Sequence, residues 1–506
     1  LVENANQVAA MPSLHVAWAL WVSVVLARIS GRWFVQVISG VHVLVTLLVI
    51  MATGNHYWLD AAGAAVLVWV AVAVTGVSDR RRVPASDTFF LHVESPAAPQ
   101  HVGGLVLLDT AQAGEEPTRA EVEAIVRARL DVLPRFTQRL AGGSRWLRQR
   151  WVPHQELDWQ WHVPLFDVTG TDGRPGGMVG VHAIIAKLAG QPLPRDRPLW
   201  RLAVITGIGG GLVAVVPIVH HAVADGIGTT VLAMRLLDPP APLPGMNSRG
   251  PGAIRKGVAT VVGLAQLATD GWPTGRLPSG GTAERRFDTF SLPLVTVRAI
   301  ARAHHARVTD VLLCGIAGGL RRISIGDLPP RLTVAVPLMA SALRLREDAA
   351  EGNLTAAVMT HLPLDEMPES ERLAAIARAS VRQRTGSRAI ASRFVMHTVG
   401  NVLPPVVHGW FARTVYGSRA FHGIASNMPG PEEQLSHAGL PVSVVFPIIP
   451  LAPAAPFAVG VLGWDGSFAL SVTVDPALAD DARTLTDAIR RVFDELSEPA
   501  QPRSAG

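Results

Sequence analysis

Three apolar segments, Met11–Ile29, Trp33–Thr53 and Leu59–Val77, fill most of the first 78 residues. A membrane-spanning helix needs about 20 apolar residues, with a range of about 17–25. The pattern therefore predicts three transmembrane helices. Buried core helices are the competing reading, but the segments nearly abut and none has Lys, Arg, Asp or Glu in its middle. Arg28 and Arg32 flank the first turn and Arg80–Arg82 follow the third segment, so all five fall on one side if all three segments span. The positive-inside rule makes that side cytoplasmic and predicts a multi-pass protein of the inner membrane. Ser13, His15, Asn55, His56 and Asp60 then lie toward the outer side.

From Val83 onward the apolar runs shorten and charges intersperse. Leu212–Val219 is a continuous apolar run that predicts a buried strand, and Thr229–Leu237 predicts the start of a helix. Leu202–Ile205 and Leu212–Val219 flank Gly207–Gly211 as in a hairpin. Thr118-Arg119-Ala120-Glu121 reads as a capping box, with Val122, Ile125, Val126 and Leu130 following at helical spacing. Leu485, Ile489, Val492, Phe493 and Leu496 share one face of a terminal helix. Pro/Gly-rich stretches at 238–252 and 271–281 bracket a helix expected over Ala253–Ala268. The expected organisation is a membrane segment over 1–78, a first globular half over 83–237, a crossover over 238–285 and a second half over 286–498.

Length and charge narrow the class. The chain has 506 residues, 49% of them hydrophobic, a net charge of +5 and a mean hydropathy of +0.29. The excess charge does not point to nucleic acid, because the arginines are scattered and the only lysines are Lys187 and Lys256. Cys314 is the single cysteine, sits in the apolar stretch Val311–Ile316 and is expected in the core. The chain begins at Leu1 inside a motif-bearing segment, which suggests N-terminal truncation, and no signal peptide is visible.

The densest chemistry is His220-His221-Ala222-Val223-Ala224-Asp225-Gly226, at the expected strand-to-helix corner. A neutral imidazole there can take a proton from a hydroxyl at neutral pH. Alone, the motif also suits a structural histidine pair followed by an Asp-Gly turn. Arg197-Pro198-Leu199-Trp200 precedes it and Ser426-Asn427-Met428-Pro429-Gly430-Pro431 follows in the second half.

Together these residues resemble the bacterial wax ester synthase/diacylglycerol acyltransferase family, from about Ser86 to Leu496. Other marks are Ser86-Asp87-Thr88-Phe89-Phe90, Gly352-Asn353 and Trp464-Asp465-Gly466. The resemblance implies a mixed α/β fold of two chloramphenicol-acetyltransferase-like halves with a tunnel between them. It implies transfer of a fatty acyl group from acyl-CoA, as substrate, to diacylglycerol or a long-chain alcohol, with no cofactor and no metal. By the match His221 is the general base. Asp225 holds the corner, through an arginine, His220 is structural, and Gly226 permits a tight turn. Pro198, Leu199, Trp200, Thr309, Asp310 and Asn427 are the expected substrate-binding residues. Where the family usually has Asn-Asp, this chain has Thr309-Asp310.

Met11-Pro12-Ser13-Leu14-His15 and Gly54-Asn55-His56-Tyr57-Trp58-Leu59-Asp60 form a second constellation. Two imidazoles and a carboxylate at one membrane face suit phosphoryl transfer: one ring attacks phosphorus, the carboxylate orients it, the other ring protonates the leaving group. These motifs resemble the type-2 phosphatidic acid phosphatase superfamily, in the branch with inositol phosphorylceramide synthases, over about residues 4–78. By that match His56 is the nucleophile, Asp60 its partner, His15 the acid and Ser13 a phosphate contact. The family's upstream Lys/Arg motif is missing, so this site is expected to be incomplete.

The leading expectation is a membrane-tethered O-acyltransferase whose partners are acyl-CoA, a lipid acceptor and the membrane; nothing in the sequence bears on oligomeric state. The alternatives are a lipid phosphatase or phosphotransferase using His15, His56 and Asp60 beside a non-catalytic lipid-binding domain, and a lipid-binding or scaffolding module without catalysis.

Overall fold

The computed structural model describes residues 13–29, 33–52, 58–74, 82–111, 116–144, 147–237, 259–263, 265–266, 275–323, 328–329, 331–338, 353, 356–382, 387–416, 420–453 and 455–498. The chain forms two compact units. One comprises Leu1–Val83 with Thr398–Pro404, the other Pro84–His397 with Pro405–Gly506.

The first unit holds three apolar helices: α1 (Leu14–Ile29), α2 (Trp33–Ala52) and α3 (Trp58–Val74). Val16, Ile50, Ala61 and Ala64 pack together, and the small alanines let the helices approach closely. Large apolar side chains such as Trp18, Trp33, Ile38, Leu44 and Leu48 face outward. Of the three spans expected, one is supported. Only α2, with 20 residues and a mean hydropathy of 2.3, is long and apolar enough to cross a membrane among the described residues. At 1.5 Å per residue α2 is about 30 Å long, the thickness of the hydrocarbon core. The described α1 and α3 have 16 and 17 residues, or about 24–26 Å. Ser13 lies just outside α1, which begins at Leu14.

The second unit is built on two six-stranded sheets. The strands are β1 (His101–Asp109), β2 (Gln138–Ala141), β3 (Arg150–Pro153), β4 (Leu165–Asp167), β5 (Trp200–Gly209), β6 (Leu212–His220), β7 (Arg286–Pro293), β8 (Arg331–Leu338), β9 (Ala356–Pro363), β10 (Gly423–Met428), β11 (Ser436–His437), β12 (Leu440–Ile448), β13 (Phe457–Trp464) and β14 (Ser467–Val474). The first sheet runs β11-β12-β1-β6-β5-β4 and the second β7-β14-β13-β10-β8-β9; β2 and β3 pair separately. β5 and β6 form the hairpin expected around Gly207–Gly211. The continuous apolar run of β6 is buried because β1 and β5 flank it and both sheet faces are covered.

The topology exchanges a strand between the halves. β12 comes late in the chain but pairs antiparallel with β1 in the first sheet, with Leu105 opposite Phe446. β13 and β14 return to the second sheet. Ser471 of β14 donates to the Pro447 carbonyl of β12. The two halves are thereby tied together along the strands that form the cavity between them.

Helices cover the sheets. In chain order these are α4 (Ala85–Val93), α5 (Arg119–Arg127), α6 (Trp159–His162), α7 (Gly177–Ala189), α8 (Gly226–Arg235), α9 (Leu294–Ala303), α10 (Val308–Arg322), α11 (Glu369–Arg382), α12 (Pro405–Val415) and α13 (Ala482–Ser497). Thr118 and Glu121 cap α5 reciprocally, as their spacing predicted. All five apolar positions expected on one face of α13 are buried against the second sheet and α10. Cys314 is in that core too. Most of the helix expected over Ala253–Ala268 lies outside the described residues.

Candidate active site

The corner after β6 is held by backbone bonds before any side chain acts. His220 N–H donates to the Leu199 carbonyl at 3.0 Å and His221 N–H to the Gln100 carbonyl at 2.8 Å. Asp225 then caps α8, its Oδ1 accepting from Gly228 N–H at 2.8 Å. A buried N-cap carboxylate satisfies a helix donor and suits the positive end of the helix dipole. The described bond through which Asp225 holds the corner is thus to backbone. Gly226 is the first residue of α8 and has no left-handed φ, so the expected tight turn is not what needs glycine. A Cβ here would lie 3.1 Å from Met428 Sδ; the missing side chain leaves room for the second half to approach.

His220 and His221 have different surroundings. The His220 ring is fully buried; its Nδ1 accepts from Ala222 N–H and its Nε2 lies 3.1 Å from Glu94 Oε1. Arg195 donates to the other Glu94 oxygen at 2.8 Å. Burial pushes the Glu94 carboxyl up, but His220 and Arg195 outweigh it and hold it at about 2. His221 instead lines a cavity of about 420 Å³ between the two halves. Its ring stacks on Phe90 of α4, centroids 3.5 Å apart.

Two residues outside the corner hold His221. Asn353 Nδ2 donates to Asp87 Oδ1 at 2.9 Å and to the His221 carbonyl at 2.8 Å, and Asn353 N–H donates to the same Asp87 oxygen at 2.9 Å. These bonds identify the Asn353 amide oxygen as an acceptor. It lies 2.7 Å from His221 Nδ1, so Nδ1 carries the proton in the neutral ring and Nε2 keeps the lone pair. Burial lowers the His221 pKa to about 4, against the opposing charge of Asp225 and the bond to Asn353. The ring is neutral at pH 7. Burial likewise raises Asp87 to about 6, although Asn353 and Ser86 donate to it. Asp87 and Asn353 were visible in the sequence only as family marks, with no signal tying them to His221.

The expected substrate-binding residues divide. Thr309, at the start of α10, and Asn427, on β10, line the cavity, and Asn427 Nδ2 donates to Thr309 Oγ1 at 3.0 Å. Asp310 is buried in the α10 cap, where it accepts from Arg307 N–H at 3.0 Å, and it does not line the cavity. Pro198, Leu199 and Trp200 do not line it either. Trp200 is buried between Phe136 and His162, with Nε1 donating to the Phe136 carbonyl at 3.0 Å. Its neighbour Leu199 anchors the His220 backbone, so this segment supports the corner from behind. Trp464 does line the cavity, and Asp465 and Gly466, both at positive φ, turn β13 into β14. Trp464 Nε1 and Thr229 Oγ1 are buried wall atoms without a partner among the described residues.

In the first unit, Ser13 is buried at the start of α1, where its hydroxyl accepts from Val16 N–H at 3.5 Å. Its N–H donates to the Asp60 carbonyl at 3.2 Å, so the structure brings these two residues together. His15 is exposed on α1. His56 lies outside the described residues. Among the described residues no cluster of His, Cys, Asp or Glu could hold a metal.

Comparison with known proteins decides the family. The model of the wax ester synthase/diacylglycerol acyltransferase catalytic domain matches residues 83–256, and that of the WS/DGAT C-terminal domain matches 351–497. The chain belongs to the wax ester synthase/diacylglycerol acyltransferase family. It is an acyltransferase of that family. A PAP2 superfamily model matches residues 1–74.

Similar proteins include two of Mycobacterium tuberculosis provisionally named diacylglycerol O-acyltransferases. One is 26% identical over 85% of this chain and 93% of its own length, the other 29% identical over 72% and 80%. Among solved structures, a wax ester synthase/diacylglycerol acyltransferase from Marinobacter aquaeolei VT8 matches with a TM-score of 0.59 at 22% identity, over 82% of this chain and 98% of that one. A variant of the starter condensation domain of rhizomide synthetase, in complex with C8-CoA, matches with a TM-score of 0.54 at 16% identity, over 84% and 96%. These neighbours share the two-half chloramphenicol-acetyltransferase-like fold of the WS/DGAT family.

Proposed function

We propose that this WS/DGAT-family chain transfers a fatty acyl group from acyl-CoA to diacylglycerol or a long-chain alcohol, with His221 as general base. The observation that carries the role is the Asn353 bond, whose amide oxygen accepts from Nδ1–H and leaves the Nε2 lone pair on a ring at the cavity wall. Nε2 takes the acceptor's hydroxyl proton as the oxygen attacks the thioester carbonyl. The tetrahedral intermediate collapses, the C–S bond breaks, and the imidazolium returns the proton to the CoA sulfur. The products are triacylglycerol or wax ester and free CoA; all atoms balance without a metal or cofactor. General-base assistance of this kind contributes about 10²–10⁴-fold.

The cavity walls are largely apolar, as a fatty chain requires. Buried donors without a protein partner are the groups that a bound oxygen would satisfy. Trp464 Nε1 and Thr229 Oγ1 are such donors on the wall, and with Asn427 and Thr309 they are the candidate contacts to the substrate's polar centre. A C8-CoA complex of a condensation domain with this fold supports the acyl-CoA reading.

We place the chain at the inner membrane as a multi-pass protein with its acyltransferase half in the cytoplasm, supported by the bilayer-length α2, the PAP2 superfamily match and the arginine distribution. Incubating the full chain with radiolabelled acyl-CoA and each acceptor, while following free thiol and ester product, tests the reaction. Absence of ester with both acceptors would refute it.

A second reading rests on the PAP2 superfamily match and the Ser13–Asp60 contact. In it, His15, His56 and Asp60 serve a phosphatase-like reaction that yields diacylglycerol for the acyltransferase half. Triacylglycerol formation from phosphatidic acid, with and without His56→Ala, tests that coupling; an unchanged yield would sink it.

A further inference from the structure

Helix α12 is two-faced. Pro405, His408, Gly409 and Ala412 are buried toward the globular unit, where Ala412 packs with Phe89, Phe90 and Val93 of α4. On the other face Trp410 is 67% exposed, and Val406 and Val407 are 40% and 42% exposed. Three large apolar side chains at i, i+1 and i+4 make one continuous stripe. Isolated exposed apolar residues need no explanation, but a contiguous stripe with a tryptophan does.

The inner side of this helix leads to the catalytic histidine. Val415, Tyr416 and Met396 line the cavity. The Tyr416 ring meets the Phe90 ring at 5.9 Å, and Phe90 stacks on His221. One aromatic ring separates the end of α12 from the reacting base.

What would cover the outer stripe follows from connectivity and charge. Residues Thr398–Pro404 run by a peptide bond into Pro405, and they group with the unit of α1–α3, which contains the bilayer-length α2. Arg413, one turn beyond Trp410, is exposed at the edge of the stripe, where its Nη1 donates to the His92 carbonyl at 3.5 Å. Tryptophan beside arginine on an apolar helix face is the composition of the membrane–water interface.

We propose that α12 is an interfacial helix. It buries Val406, Val407 and Trp410 in the interfacial layer of the cytoplasmic leaflet and thereby sets the cavity wall at Met396, Val415 and Tyr416 against the lipid surface. A lipid acceptor then reaches His221 without crossing water. This rests on the acyltransfer and membrane readings above.

The test uses the full chain in phosphatidylcholine vesicles and has two arms. In the first, a dye is attached to Val407→Cys, which is selective because the native Cys314 is buried. Quenching by lipids carrying a nitroxide on the acyl chain, with protection from aqueous iodide, supports the proposal. Quenching by iodide alone, or protection from both as a protein partner would give, overturns it. This arm reads no acyl transfer, so it stands apart from the reaction. In the second, the V406S/V407S/W410S variant is assayed with long-chain diacylglycerol in vesicles and with a short-chain, water-soluble diacylglycerol. The expected result is a KM at least tenfold higher for the vesicle acceptor, with kcat and the soluble acceptor unchanged. Equal change, or none, for both acceptors overturns the proposal. Wild-type failure on both acceptors removes the acyltransfer reading and this delivery route with it.

Discussion

His221 Nδ1 lies 2.7 Å from the amide oxygen of Asn353, a residue 132 positions later in the chain. That bond crosses from the first half to the second. It makes the tautomer of His221 depend on both halves being docked.

Asn353→Ala should lower kcat by about 10–100-fold, since the ring loses the bond that sets its tautomer and orientation. Asn353→Asp separates positioning from support. A carboxylate beside Nδ1 stabilises the imidazolium, so the His221 pKa must rise from its low value and the acid limb of kcat/KM must move to higher pH. The kcat of Asn353→Ala, and a pH profile of Asn353→Asp in the Asp87→Asn background where Asp87 no longer titrates, check this; an unmoved limb there would show that Asn353 does not touch the working base.

Asp87 gives the wild-type profile its shape. Its carboxyl is raised to about 6 by burial, against the donors of Asn353 and Ser86, while His221 is lowered to about 4. On acidification Asp87 therefore takes a proton first and weakens its grip on the Asn353 amide. Activity should fall as pH drops through about 6. In Asp87→Asn that group no longer titrates, so the variant should be less active at pH 7 and lack the decline near pH 6. Initial rates between pH 4.5 and 8 decide the matter.

Stability should fall on acidification. Burial lowers His101, His162 and His408 from 6.5 to about 3, 4 and 3. Below pH 6.5 the unfolded chain binds protons at these positions that the folded chain refuses, so unfolding gains ground until pH 3–4. Each such group costs up to about 1.4 kcal/mol per pH unit in that window. Asp87 works the other way, because its raised pKa makes the folded state bind a proton first between about pH 4 and 6. The histidines outnumber it. Unfolding midpoints at pH 7.5 and 5.5 in one detergent should drop at the lower pH; an equal or higher midpoint would contradict the burial of neutral histidines.

Trp200→Phe distinguishes support from substrate contact. It leaves the Phe136 carbonyl without its donor, which costs roughly 1–3 kcal/mol. The melting temperature should fall while KM for acyl-CoA and acceptor stays the same. A changed KM with unaltered stability would return Pro198-Leu199-Trp200 to the substrate-binding role that the sequence suggested.

What the sequence made legible was local. The apolar run of β6, the Thr118–Glu121 box and the α13 stripe each carry their signal within a few residues, and the structure places them as expected. The exchange of β12 into the first sheet has no local signature, because Leu105 and Phe446 meet across most of the globular chain. The partners of His221 escaped for the same reason: Asp87 and Asn353 are 266 positions apart. Trp200 has no local signal of its surroundings, because a tryptophan near such a corner reads the same in sequence whether it faces a ligand or Phe136. In the membrane segment α2 alone among the described residues reaches bilayer length, while the apolar composition around α1 and α3 extends beyond the described residues.

The central claim is that His221 takes the acceptor's proton. The direct measurement is the turnover of acyl-CoA with diacylglycerol by the full chain and by His221→Ala, with unfolding midpoints recorded in parallel. The account predicts that kcat falls about 10²–10⁴-fold while the midpoint changes little. A variant that folds as well and retains kcat within threefold of the wild type would contradict it.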